Sequence, residues 1–113
     1  MKPFRLAALA GALAAGSACN APDTYADAVE CAGWFDAARK TDAGKDPSFW
    51  PGWAVLDARD LGSALGKSRS DIDRDLKAAR ARHASVGSRT SAQILDDIKQ
   101  SDSIAGRCWH HYN

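Results

Sequence analysis

Glutamate is almost missing from this 113-residue chain: of its 14 acidic residues, only Glu30 is one. Paired-carboxylate chemistry would therefore fall to aspartates, with Asp57/Asp60 and Asp96/Asp97 as the close pairs. Cysteine is scarce too, at three. Neither C-x-x-C nor C-x-x-C-H occurs, which argues against a thioredoxin-like redox motif and covalent haem. There is no G-x-S-x-G, H-E-x-x-H, P-loop or Gly-rich dinucleotide loop, so no motif points to an enzyme and none calls for a cofactor. A strong excess of one charge is lacking as well. The formal net charge is +1, and a near-neutral balance argues against nucleic acid as a partner.

What is present begins with an export leader. Residues 1–5 carry Lys2 and Arg5, residues 6–15 are Leu, Ala and one Gly, and Gly16, Ser17 and Ala18 are small. A charged n-region, a short apolar h-region and a small-residue cleavage site together form a secretory signal. The apolar run is far shorter than the roughly 20 residues that span a bilayer. Residues 1–18 are thus expected to be a signal peptide, residues 19–23 a short tether and residues 24–113 one domain.

Gly16-Ser17-Ala18-Cys19 resembles the lipobox of bacterial lipoproteins. That resemblance covers residues 1–20 alone, with Gly16 standing where the family prefers a large aliphatic residue. It implies acylation of Cys19, a membrane anchor, and an Asn20 compatible with outer-membrane sorting. Ordinary cleavage after Ala18, or after Ala28 at Ala26-Asp27-Ala28, is the competing reading and gives a soluble periplasmic protein. Cysteine parity bears on the choice. Exported proteins favour an even count, and acylating or removing Cys19 leaves Cys31 and Cys108 as one pair. A Cys31–Cys108 disulfide would tie the first helix to the last and staple a domain with a modest core.

No segment alternates apolar and polar residues for long enough to form a strand, and helical periods predict an all-α domain of three or four helices. The first helix starts at Asp23 or Thr24, with Thr24-x-x-Asp27 spaced as a capping box. Its apolar stripe is Tyr25, Ala28, Val29, Ala32 and Phe35. Residues 41–52 form a loop with Pro47, Pro51 and Gly52. A second helix over residues 53–65 is expected to use Trp53, Leu56, Leu61 and Leu65, with Gly66 as its stop. Ser70 is the expected N-cap of a third helix with the stripe Ile72, Leu76, Ala79 and His83. A fourth begins at Thr90 or Ser91 and carries Ile94, Leu95, Ile98, Ala105 and Cys108.

Three features offer sites. Phe49-Trp50-Pro51-Gly52-Trp53 is the densest aromatic cluster, either a hydrophobic plug, the favoured reading, or a stacking platform for a ligand through Trp50 and Trp53. Arg74, Lys77 and Arg80 form a basic helix face, either solvated surface or a contact for an anionic envelope component or acidic partner. The tail holds His110 and His111, which with His83 invite comparison with a metal site. Adjacent histidines lack the i, i+4 spacing of helical ligands, so no metal residue is assigned and an exposed tail is the expectation. The chain thus reads as an exported, non-enzymatic envelope protein that binds a protein or envelope component. A small-ligand or metal-binding module built on residues 49–53 or on the histidine tail is the alternative.

Overall fold

Thr24 starts the first helix with its side chain, its hydroxyl oxygen accepting a hydrogen bond from the Asp27 amide at 3.1 Å. The computed structural model describes residues 24–113. The signal segment, the tether and Cys19 lie outside the described residues.

Five α-helices follow: α1 (Tyr25–Ala38), α2 (Gly52–Ala64), α3 (Arg69–Arg82), α4 (Ser91–Lys99) and α5 (Ile104–Tyr112). Short 3₁₀ turns at Ala43–Lys45, Pro47–Phe49 and Ala84–Ser88 join them, and no strand occurs among the described residues. The all-α class is as expected, but the helix count exceeds the three or four read from periodicity. The difference lies between α4 and α5. Gln100 is extended, and the Ser103 hydroxyl oxygen accepts from the Gly106 amide at 2.9 Å, capping a new helix. The same hydroxyl sits 2.7 Å from the Gln100 carbonyl and 2.9 Å from that of Asp97, closing the turn.

Helix α1 is the central element, packed against α2, α3 and α5. Nine of its 14 residues are buried, among them Ala28, Ala32, Gly33, Trp34 and Phe35, as befits a helix with neighbours on several sides. Gly33 permits the closest approach. A Cβ there would stand 2.6 Å from the Ala79 carbonyl oxygen of α3. Trp34 and Phe35 lead an aromatic chain through the core, with Phe49 6.2 Å from Trp34 and Trp109 4.7 Å from Phe49 between ring centres.

Helix α2 ends at Gly66, as expected. Gly66 has φ +81°, the left-handed region that glycine tolerates. The Lys67 amide donates to the Gly62 carbonyl and the Gly66 amide to that of Ser63, a Schellman closure. The N-cap of α3 is Ser68 rather than Ser70: the Ser68 oxygen receives the Asp71 amide at 3.1 Å. Cys31 and Cys108 form the expected disulfide, joining α1 to α5 across a sequence separation of 77 with Cα atoms 5.4 Å apart. Among the described residues no helix is long and apolar enough to cross a membrane.

Candidate functional site

Packing distance decides which side of α2 faces inward. Its buried residues are Ala54, Ala58 and Gly62, one every fourth position. A Cβ on Gly62 would strike the Ile72 side chain of α3 and the Tyr25 ring of α1 within 2.8 Å. Only small residues fit a seam that close. The large apolar residues of α2 consequently turn outward: Trp53 is 58% exposed, Leu56 50% and Leu65 66%. This reverses the expected core stripe, of which only Leu61 packs at the core margin.

The aromatic loop divides in the same way. Phe49 is a plug, fully inside the core, whereas Trp50 is 49% exposed. Gly52 lets Trp50 fold back over the start of α2, since a Cβ there would lie 2.1 Å from the indole ring. Trp50 and Trp53 then meet edge to face, 5.3 Å between centres and at 86°. They form an outward apolar surface continuous along α2 with Leu56.

The C-terminal helix supplies the other wall of a groove of about 480 Å³, lined by Trp53, Leu56, Asp57, Asp60, His111 and Tyr112. Tyr112 is held there twice. Its ring meets Phe35 edge to face at 5.9 Å, and its hydroxyl donates to Asp57 Oδ2 at 2.8 Å. Burial, then the Asp57 carboxylate, push its pKa well above the ordinary tyrosine value, so the phenol keeps its proton. His111 Nε2 lies 4.0 Å from the same Asp57 oxygen, and Asp60 is exposed one turn along α2. The aromatic loop and the histidine tail, far apart in sequence, thus contribute to one groove. His110 and His111 are both exposed, as expected of the tail, with the His111 ring 4.5 Å from that of Tyr112.

The other singled-out residues lie elsewhere. Arg74, Lys77 and Arg80 are exposed on α3. Arg74 is engaged by Asp71 at 3.0 Å and Asp75 at 3.8 Å. His83 is turned to α1, where its Nε2 is 2.7 Å from Glu30, the chain's one glutamate, which also pairs with Arg82. Burial raises the Glu30 pKa, but the hydrogen bonds from Arg82 and His83 outweigh it and hold the carboxyl below its ordinary value. Nearby, Tyr25 donates to Asp75 at 2.6 Å beside a small cavity of about 170 Å³. Burial and that carboxylate raise the Tyr25 pKa to about 12. Among the described residues no group of three or more His, Cys, Asp or Glu side chains is placed to hold a metal.

Sequence reading missed the roles of Tyr112, Asp57 and Glu30. Tyr112 gave a usable signal, being the amphipathic last aromatic of a helix stapled to the core. The pairings with Asp57 and Glu30 are set by helix packing and leave no local trace. No family model matches this chain, and neither does a curated protein or a solved structure.

Proposed function

We propose that the chain is an exported, non-enzymatic binding module of a bacterial envelope, and that its working surface is the Trp50–Trp53–Leu56 face with the groove behind it. One observation carries this reading: α2 seats alanine and glycine in the core while leaving Trp53 and Leu56 in water beside Trp50. Leaving those large side chains in water forgoes the stabilisation that burying them would give. Contiguous exposed apolar surface with a polar rim marks an interaction site, and aromatic side chains are the usual anchors of binding energy. The lipobox-like leader would place this face in the periplasm or, with Cys19 acylated, on a membrane-tethered protein.

A second reading assigns binding to the basic α3 face. It is favoured by Lys77 and Arg80, which stay exposed while Arg74 and Arg82 are taken up by ion pairs. An anionic envelope component would be its partner.

Photo-crosslinking in the host separates the two. With a photoreactive residue at position 50, adducts should form and should vanish when Trp53 and Leu56 are both changed to Ala. Adducts arising only from position 77 would transfer the function to α3. Intact mass of the processed protein tests export. An acylated Cys19 N-terminus gives a tethered protein, unmodified cleavage after Ala18 or Ala28 a soluble one, and a retained residue 1–18 segment would overturn export.

A further inference from the structure

The groove beside Trp53 is rich in hydrogen-bond acceptors and poor in donors. Asp57 and Asp60 line it and, among the described residues, no Lys or Arg does. Arg59, the nearest base in sequence, leans the other way onto Asp73 of α3 at 2.9 Å. The Tyr112 hydroxyl is committed to Asp57, and ionised carboxylates only accept. His111 is the single remaining side chain of the groove, apart from the Trp53 indole N–H, that can donate.

A ligand that fits must therefore bring donors and positive charge. The indoles favour the same ligand, since aromatic faces attract cations. A guanidinium can lie flat on an indole while its N–H groups reach a carboxylate, which an ammonium does less well. A sugar chain suits the groove poorly. Trp50 and Trp53 stand at right angles instead of forming one platform, and hydroxyls seek donors as well as acceptors. The surrounding chain adds long-range attraction, with eight acids against four bases over residues 23–60. Exposed Leu56 offers an apolar contact next to the charge site.

Building on the binding face assigned above, we propose that this groove captures an arginine side chain of a basic, partly apolar segment of a partner protein, with Trp53 stacking it, Trp50 bracing that indole edge to face, and Asp57 and Asp60 accepting from it. Tyr112 positions Asp57 through its hydrogen bond to Oδ2, which leaves Oδ1 to accept from the ligand.

Tryptophan fluorescence titration of the protein purified from its host tests this with three probes: a blocked Arg-Leu-Arg tripeptide, its citrulline counterpart and chitotriose. Citrulline keeps the shape of arginine and removes the charge. The arginine peptide should quench emission saturably, and the citrulline peptide should bind about tenfold or more weakly. Asp60→Asn and Trp53→Ala should each weaken the arginine peptide several-fold, with added salt doing the same, while Lys77→Gln should not. Equal affinity for the citrulline peptide would overturn the charge assignment. Binding of chitotriose in place of the arginine peptide would make the groove a sugar site. If no probe binds yet crosslinks from position 50 still depend on Trp53, the binding face stands and the arginine assignment falls. If those crosslinks are absent too, both fall.

Discussion

Replacing Cys31 and Cys108 together by Ala removes the bond that joins the first helix to the last. The crosslink closes a loop with a sequence separation of 77. For a loop of that size, releasing the restraint on the unfolded chain costs about 4.5 kcal/mol by the chain-entropy relation, at the upper end of the usual 2–5 kcal/mol. Both cysteines are buried in the core cluster that also holds Trp34 and Phe35, so the truncation also leaves small voids that add to the loss. Set against the roughly 5–15 kcal/mol of a whole domain, this is a large fraction of the total. Thermal unfolding should register a fall of about 20 °C or more, using roughly 4–8 °C per kcal/mol for a chain of this size. Urea denaturation, compared with the wild type, should show a matching drop in midpoint. A shift below about 5 °C, or two free thiols at positions 31 and 108 in unreduced protein, would refute the staple.

Gly33→Ala should destabilise by about 1–3 kcal/mol in the same assay, because its Cβ would meet the Ala79 backbone and force α1 from α3. Tyr112→Phe keeps the contact with Phe35 and loses the hydrogen bond to Asp57, for a cost of about 0.5–1.5 kcal/mol in urea unfolding. The Glu30 pKa is lowered in the folded protein, so its contribution is fully present above its unfolded value and fades as pH falls through the folded one. Glu30→Gln should therefore lower stability at neutral pH and flatten the loss of stability below about pH 4.5, as read by unfolding curves at stepped pH.

How far the fold was legible depended on what each residue could reveal without its neighbours. Thr24 and Thr90 sit before apolar periods and cap the helices they announce, and Gly66 stops α2 because only its backbone needs the left-handed region. The Cys31–Cys108 pairing followed from parity and compartment. Ser70 was read as the cap of α3 because acids follow it, but Ser68 has Asp71 at capping distance and takes the role. The gap after Lys99 was foreshadowed by Ser101 and Ser103, poor helix formers, yet whether they bend or break the helix depends on Ser103 reaching two carbonyls.

The face of α2 was read inside out for a physical reason. Periodicity ranks Trp and Leu as core and Ala and Gly as filler, but it carries no information on how closely two helix axes approach. Once Gly62 must clear both Tyr25 and Ile72, the small residues take the seam and the large ones are left outside. The same blindness made the aromatic loop look like one plug, when Phe49 goes in and Trp50 stays out. The groove with Tyr112 was likewise illegible, because its two walls are far apart in sequence and meet only after the disulfide sets α5 beside α1.

The most direct measurement is the indole region of a two-dimensional NMR spectrum, in which the four tryptophans each give one N–H signal. Assigned by single Trp→Phe variants, the signals should separate into an exposed pair, Trp50 and Trp53, and an inner pair, Trp34 at 1% exposure and the half-buried Trp109. On titration with the arginine tripeptide, Trp50 and Trp53 should move and the inner pair should stay fixed. Movement centred on Trp34 and Trp109 would contradict an outward-facing α2 surface as the site of binding, and movement of none of the four would contradict the arginine assignment.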